Sequence, residues 1–359
     1  MKNITDVDKN LEMKTVNKDD LKAYHVRDKC FTIYGSYAPE SDTLFRRVPE
    51  EVAKNMSDGA HFQHTNTAGI RVRFKTDSQY IALKPTMALV SFMPIMPLAG
   101  STGFDIYADG KFVGIIAPPV VYKDKYRATV ETSNTYEGIV EFPDRKMREI
   151  QINFPLYSDV SDLSIGLQED AKIESGAKYT HKKPIIFYGS SITQGAAASR
   201  PGNSYEAIIS RRFDTDYINL GFSGNARAED AIAEYISNLN MSIFVYDYDH
   251  NAPTVEHLQK THKPMFDKIR AKHPDLPIIM LTRPNRAEPS EREARVQIIK
   301  DTYNTAKASG DNNVYFIDGA DILNLHDPEM VTVDNCHPND FGFYCMAEVI
   351  GSIIEKLLK

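Results

Sequence analysis

The 359-residue sequence predicts an α/β protein in two parts, in which an all-β, jelly-roll-like sandwich precedes a half built on a parallel sheet. Three observations predict this. The chain is longer than the size at which one hydrophobic core usually stops growing. Residues 26–177 contain short alternating strands and turns, and no long amphipathic helix. Residues 178–359 alternate apolar runs with helical stretches, which is typical of a parallel sheet covered on both faces. We call these two parts the β half and the α/β half, and we expect residues 1–25 to form a polar arm.

The strands of the β half are predicted from alternation of apolar and polar residues. Residues 70–74 and 148–154 alternate in this way, as half-buried strands do. Residues 103–107 run into Asp109-Gly110, and Asp-Gly between two apolar runs is a strong hairpin signal. Several short strands with regular turns therefore favour a sandwich.

In the α/β half, a polar linker at residues 171–183 leads into the first apolar run. The predicted strands lie at residues 185–188, 217–220, 242–246, 277–281 and 314–317. The predicted helices lie at residues 204–212, 228–239, 257–272, 290–309 and 342–358.

Composition excludes several classes of function. The formal net charge of −7 argues against a nucleic-acid partner, which would need a basic face. Cys30, Cys336 and Cys345 are odd in number and match no metal-binding spacing, so we expect reduced thiols. The polar N-terminus lacks the apolar segment of a secretory signal, and no apolar run is long enough to span a membrane. We therefore expect a cytoplasmic protein without a membrane partner.

Four polar segments follow predicted strands, where open α/β sheets form their binding sites. The first is Gly189-Ser190-Ser191. A serine at a strand-to-helix junction can expose its hydroxyl, although serine after glycine is also common in turns and helix caps. The second holds Gly224, whose backbone N–H could approach an oxyanion, or which simply makes a turn.

The third segment is Tyr246-Asp-Tyr-Asp-His-Asn251. Asn251 could donate its amide to the same oxyanion. A metal site of Asp247, Asp249 and His250 is an alternative, but strand alternation would send the aspartates and the histidine in opposite directions. The fourth segment places Asp334 three residues before His337, so the carboxylate could support an imidazole that takes a proton from serine. Alternatively, Asp334 caps a loop and His337 lies on the surface.

A nucleophile, two oxyanion donors and an Asp–His pair occur in this order, and the order resembles the four sequence blocks of the SGNH, or GDSL-type, hydrolases. The resemblance implies a flavodoxin-like three-layer fold. It implies Ser191 as nucleophile, with His337 and Asp334 completing the triad. It also implies an oxyanion hole made by Ser191, Gly224 and Asn251, and no metal or other cofactor.

Two departures from the family pattern are present. Ser190 stands where the family usually has aspartate, and Asp249-His250-Asn251 stands where it usually has Gly-Asn-Asp. Residues 103–107 (Gly-Phe-Asp-Ile-Tyr) resemble the Gly-x-Asp-Leu-Tyr motif of one subgroup, whose members carry an N-terminal β domain. Such two-domain proteins resemble carbohydrate acetyl esterases.

We therefore expect a serine esterase that removes short acyl groups, acetyl first, from small carbohydrate esters. The segments around the blocks are polar, and Arg200, His250 and Arg283 are the expected substrate contacts. Two alternatives stay open: a lipid or thioester hydrolase of the same fold, and an inactive carbohydrate-binding protein. A homo-oligomer is also possible.

Overall fold

The structure is a computed structural model that describes residues 16–122, 128–130, 133–284, 289–323 and 328–359. In this part of the chain, no helix is long and apolar enough to cross a membrane. Cys30, Cys336 and Cys345 all lie within it as free thiols.

The β half is built on antiparallel sheets. Its strands are β1 (Leu21–His25), β2 (Thr32–Tyr34), β3 (Arg71–Thr76), β4 (Tyr80–Leu89), β5 (Phe104–Ala108), β6 (Lys111–Ile116), β7 (Val120–Tyr122), β8 (Ala128–Val130), β9 (Gly138–Glu141), β10 (Arg148–Asn153), β11 (Asp159–Gln168) and β12 (Ile173–Ser175). One sheet has the order β1-β11-β4-β9, the other has the order β12-β3-β10-β5-β6 with β2 beside β3, and β7 pairs with β8.

A single apolar core joins the two larger sheets, because alternate residues of each strand point inward. Phe74 of β3 and Ile150 of β10 belong to one sheet, and Ile81 of β4 and Ile165 of β11 belong to the other. All four side chains are fully buried in the same cluster. The alternation predicted at residues 70–74 and 148–154 thus corresponds to β3 and β10, whose inward residues form this core.

The Asp-Gly hairpin is confirmed, because β5 and β6 pair around Asp109 and Gly110. Both turn residues have positive φ, at 50° and 75°. A two-residue turn with positive φ at both positions matches the twist of the flanking strands.

The polar arm and the linker differ in part from their predictions. Leu21–His25, within the expected arm, forms β1 and pairs antiparallel with β11. Ile173–Ser175, within the expected linker, forms β12 against β3. Both are short edge strands whose side chains are half-buried or exposed, so neither contains the buried apolar run that marks a core strand.

In the described part of the β half, three short helices lie between the strands: α1 (Glu50–Ala53), α2 (Asp58–Gln63) and α3 (Leu98–Ser101). The α/β half then contains β13 (His181–Gly189), α4 (Ser191–Gln194), α5 (Tyr205–Phe213), β14 (Thr215–Gly221), α6 (Asp230–Ser237), β15 (Ile243–Asp247), α7 (Val255–Lys272), β16 (Ile278–Leu281), α8 (Pro289–Ala308), β17 (Val314–Ile317), α9 (Gly319–Leu323) and α10 (Asp340–Leu357).

The five strands of the α/β half form one parallel sheet in the order β14-β13-β15-β16-β17. Counted from the first strand of this half, the order is 2-1-3-4-5, the flavodoxin-like order. Ile186 and Tyr188 of β13 face a core with α6 and α7, whereas Ile185 and Phe187 face a core with α5 and α10. The predicted three-layer α/β fold is confirmed.

The two halves share these cores. Val48, Met56 and Ala60 of the β half pack into the core beneath α6 and α7. Leu156 and Tyr157 of the β half pack into the core on the opposite face. The β half therefore packs directly against the α/β half and is not joined to it only by a linker.

Candidate active site

The serine turn lies at the carboxyl end of β13, the strand between β14 and β15 in the sheet. Gly189 allows the tight turn, because a Cβ there would clash with the Thr193 hydroxyl and with the Asp247 carbonyl oxygen. Ser190 caps α4: its Oγ accepts a hydrogen bond from the Ile192 N–H at 3.1 Å. Ser191 is then the first residue of α4, where backbone N–H groups have no acceptor within the helix.

Ser191, His337 and Asp334 form a continuous hydrogen-bonded chain. Ser191 Oγ lies 2.9 Å from His337 Nε2. On the other side of the ring, His337 Nδ1 lies 2.8 Å from Asp334 Oδ2. An ionised carboxylate only accepts hydrogen bonds, so it favours the tautomer with the proton on Nδ1 and leaves Nε2 free to accept from the serine.

The loop before α10 holds this carboxylate in place. Asp334 Oδ1 accepts hydrogen bonds from the backbone N–H groups of Cys336 at 3.1 Å and His337 at 2.8 Å. Burial alone would raise the pKa of Asp334. The hydrogen bonds from the backbone and imidazole of His337 outweigh it, so the pKa lies below its ordinary value. Asp334 therefore stays ionised beside the imidazole.

Gly224 and Asn251 lie in the loops after β14 and β15, the two strands that flank the serine strand. Gly224 has φ +71°, and a Cβ there would meet nothing within 4 Å, so its backbone borders open space. Asn251 Oδ1 accepts the Ala226 N–H at 3.2 Å, which leaves its Nδ2 group to point the other way. The sheet order thus brings both expected donors to the edge that carries Ser191.

The alternative metal site at residues 247–250 is not assembled. Asp249 Oδ2 accepts the Arg283 backbone N–H at 2.9 Å, and Asp249 Oδ1 lies 3.2 Å from Arg295 Nη1. Burial, followed by the nearby Asp249, raises the pKa of Asp247 well above its ordinary value. Within the described ranges, the group with metal-compatible spacing is Glu50, His61 and His64, in the β half.

The three expected substrate contacts have different surroundings. Arg200 Nη1 lies 3.1 Å from Asp105 Oδ2 and also donates to the Tyr107 hydroxyl, so its charge is engaged between the two halves. Arg283 donates through its backbone and its guanidinium to Asp249. Of the three, His250 is near enough to His337 for an electrostatic effect. Burial, and then the Arg283 charge, lower the pKa of His250 to about 3, so its ring is neutral.

Sequence reasoning identified Asp105 and Tyr107 as part of a motif but assigned them no role. In the structure Asp105 is fully buried, and its carboxylate accepts from Asn153 Nδ2 at 2.7 Å and from the Gly202 N–H at 2.8 Å. It therefore connects β5 to the loop before α5. Tyr157 was missed altogether, although its hydroxyl lies 3.3 Å from the Ser191 carbonyl oxygen. No spacing in the sequence marks either contact, because the partners are far apart along the chain.

Two family profiles match the chain, one on each half. Residues 182–355 match the GDSL-like lipase/acylhydrolase family. Residues 22–173 match the N-terminal domain of SGNH-hydrolase-type esterases, which is named for the Gly-x-Asp-Leu-Tyr motif. Among curated protein sequences, none gives a significant match.

Solved structures resemble the whole chain. A protein described as a GDSL-like lipase from Bacteroides ovatus superposes with a TM-score of 0.81 at 29% identity, covering 94% of this chain and 98% of its own. A salicylyl acyltransferase from a tetracycline biosynthetic pathway gives 0.73 at 18% identity over 94% and 96%. An acetyl xylan esterase from Butyrivibrio proteoclasticus gives 0.55 at 11% identity over 94% and 99%. The last two likenesses show a shared fold.

Proposed function

Because its second half belongs to the GDSL-like lipase/acylhydrolase family and its first half to the N-terminal domain of SGNH-type esterases, the chain is a carboxylic ester hydrolase, and we propose that it removes short acyl groups, acetyl first, from carbohydrate esters through Ser191. The observation that carries this proposal is the 2.9 Å contact between Ser191 Oγ and His337 Nε2. A serine hydroxyl is a weak nucleophile unless a base accepts its proton.

The proposed reaction has two steps. His337 Nε2 takes the Ser191 proton as Oγ attacks the ester carbonyl, and it returns that proton to the sugar oxygen as the C–O bond breaks. A water molecule then attacks the acyl-serine with His337 again as base, which releases the carboxylic acid and restores the serine. Asp334 keeps the imidazole in the required tautomer and stabilises its charged form.

The tetrahedral intermediates carry a negative charge on the former carbonyl oxygen. In the proposal, the backbone N–H groups of Ser191 and Gly224 and the side-chain amide of Asn251 donate to this oxygen. Each such donor contributes on the order of 3 kcal/mol to transition-state stabilisation.

Two features support a short acyl group on a sugar. Ser191 is only 8% exposed and the rest of α4 is fully buried, which favours a small acyl group at the nucleophile. The neutral ring of His250, which is near enough to His337 for an electrostatic effect, and the side-chain amide of Asn251 are hydrogen-bonding groups suited to a hydroxylated substrate. The proteins of similar fold include an acetyl xylan esterase and a carbohydrate esterase solved with cellohexaose.

A lipid or thioester substrate is the second candidate. Met330 and Val333 lie next to the Asp334–His337 loop, and they are 64% and 49% exposed. Apolar side chains exposed beside a triad could contact a longer acyl chain.

The proposal is tested with nitrophenyl acetate and with acetylated xylo-, manno- and gluco-oligosaccharides. Ser191→Ala should lower kcat by about 10⁴-fold or more, as in other serine triads. Ser190→Ala is the matched control: it removes the neighbouring hydroxyl and a helix cap, and should cost about 1 kcal/mol of stability but at most about tenfold in kcat. Wild-type turnover by Ser191→Ala would refute the nucleophile. A clear preference for octanoate over acetate would favour the second candidate, and sugar binding without acid release would favour the inactive binding protein.

A further inference from the structure

The peptide between Ser223 and Gly224 is held from the β half. Gln63, the last residue of α2, donates from Nε2 to the Ser223 carbonyl oxygen at 2.8 Å. Asn225 Nδ2 donates to the same oxygen at 2.7 Å. Two side-chain amides therefore fix the direction of this carbonyl group.

The direction of that carbonyl sets the direction of the Gly224 N–H. The Ser223 C=O and the Gly224 N–H belong to one peptide unit, which is planar and trans, so they point in opposite directions. Holding the oxygen against Gln63 and Asn225 turns the N–H away from the β half. The backbone of Gly224 borders open space, where a ligand could reach it.

The peptide on the other side of Ser223 is held as well. The Ser223 N–H donates to Gln194 Oε1 at 2.9 Å. Gln194 Nε2 in turn donates to Asn66 Oδ1 at 3.0 Å and to the Leu156 carbonyl oxygen at 3.2 Å, both in the β half.

The buried carboxyl group of Asp159 determines which way the side-chain amides of Asn66 and Gln194 are oriented. Asn66 Nδ2 donates to Asp159 Oδ1 at 2.6 Å, and the Thr65 hydroxyl donates to Asp159 Oδ2 at 2.8 Å, so both carboxylate oxygens act as acceptors. The Asn66 amide must therefore turn its NH₂ group to Asp159 and its oxygen to Gln194. Gln194 must then turn its own oxygen to the Ser223 N–H.

The element that carries Gln63 is itself anchored. Arg47 donates from Nη2 to the Gln63 carbonyl oxygen at 2.7 Å and from Nη1 to the Gly221 carbonyl oxygen at the end of β14. The hydroxyl of Ser57, which caps α2, lies 3.3 Å from Asn225 Oδ1. Arg47 is fully buried, so α2 has little freedom to move away from the loop.

We propose that Gln63 is a positioning residue of the oxyanion hole: by holding the Ser223 carbonyl, it aims the Gly224 N–H at the oxyanion of the acyl-transfer step. This inference rests on the proposed function, since it needs Gly224 to be an oxyanion donor. It gives the β half a part in catalysis without any contact between Gln63 and substrate.

The test compares Gln63→Met, which keeps the side-chain length but cannot donate, with Gln63→Lys, which can donate again. Gln63→Met should lower kcat by about 10- to 100-fold with KM changed by less than about twofold, because the misaligned donor acts in the transition state. The rate at which a methylphosphonate ester inactivates the enzyme should fall in parallel, since that adduct needs the same oxyanion donor. Gln63→Lys should recover most of the lost kcat.

Gln168→Met is the control variant. Gln168 is a half-buried glutamine of the β half whose amide bonds to the Gln79 N–H at 2.8 Å and to Asp20 at 3.1 Å. The Gln168→Met variant should keep wild-type kcat.

Ser191→Ala is measured in the same assay. If it is inactive and Gln63→Met has wild-type kcat and phosphonylation rate, the inference is wrong while the proposed function stands. If Ser191→Ala is fully active, both are wrong. Should Gln63→Met fail to fold, Gln63→Glu takes its place. Its carboxylate would repel the Ser223 carbonyl, and wild-type kcat in that variant would equally overturn the inference.

Discussion

Asp105→Asn tests whether the Gly-Phe-Asp-Ile-Tyr segment connects the two halves of the molecule. Three donors surround the fully buried carboxylate: Asn153 Nδ2 on one oxygen, and the Gly202 N–H and Arg200 Nη1 on the other. Asparagine has nearly the same shape but offers only one oxygen. Whichever way its amide turns, an NH₂ group faces another donor, and a buried donor is left without an acceptor.

The size of the effect follows from these contacts. A hydrogen bond to a charged group contributes about 1.5–3 kcal/mol, and an unsatisfied buried donor costs about 1–3 kcal/mol. Two considerations reduce the total. Burial raises the pKa of Asp105, so removing its charge recovers part of a desolvation cost. The side chain of Arg200 is 21% exposed, so water can solvate it once the carboxylate is gone. We expect a net loss of about 3 kcal/mol in the free energy of unfolding, within the range for breaking buried pairs.

The measurement is urea unfolding followed by far-ultraviolet circular dichroism, because the chain contains no tryptophan. Asp109→Asn is the matched control. Asp109 also belongs to the β5–β6 hairpin and accepts one backbone N–H, from Glu149 at 2.9 Å, but it is exposed and its φ of 50° is one that asparagine tolerates. It should change stability by less than about 0.5 kcal/mol. An Asp105→Asn protein as stable as Asp109→Asn would refute the connecting role.

Two further predictions concern the triad and the acid limit of stability. Asp334→Asn should lower kcat by about 10⁴-fold on nitrophenyl acetate with little change in KM, because the amide no longer favours the Nδ1–H tautomer; a loss below about tenfold would contradict the triad. The hydrogen bond from His61 helps to lower the pKa of Glu50 to about 2, from 4.5. A carboxyl group with a lowered pKa in the folded state stabilises it above the unfolded pKa, and this contribution is lost as the pH falls towards the folded value. Glu50→Gln should therefore be less stable than wild type near neutral pH, and the difference measured by urea unfolding should shrink between about pH 4.5 and pH 2. The control is Glu51→Gln at the neighbouring exposed position, which should change stability near neutral pH by less than about 0.5 kcal/mol.

The elements that could be predicted from the sequence are those with a clear local pattern of apolar residues. The five strands of the parallel sheet are short apolar runs, and the apolar stretches of the three central strands, β13, β15 and β16, are buried on both faces as that pattern requires. The edge strands β1 and β12 escaped prediction, because only one side of each pairs and their side chains are half exposed. Sequence patterns also do not reveal α1 and α2, since helices of four and six residues are too short to show a period.

In the candidate site, too, features of a local segment could be predicted and contacts between distant segments could not. The expected nucleophile and oxyanion donors each follow a recognisable strand, and sheet order brings their loops to one edge, while the Asp–His pair lies in the loop before α10. Arg200 was expected to contact substrate because it lies in a polar segment beside the serine block. Its partners, Asp105 and Tyr107, lie 95 and 93 residues earlier in the chain. The partner of a charged side chain cannot be predicted from its own segment when that partner is distant in the sequence.

The contacts between the halves bear on what the α/β half could do alone. Val48 and Met56 are buried in the core beneath α6 and α7, so separation would expose apolar surface on both sides. Separation would also remove the acceptors of the Gln194 amide and the donor that Gln63 supplies to the Ser223 carbonyl oxygen, both beside the serine turn. The β half therefore contributes side chains to both cores of the α/β half and hydrogen bonds to the backbone of the loop at Ser223. On this physical basis, we expect esterase activity to require the two halves together.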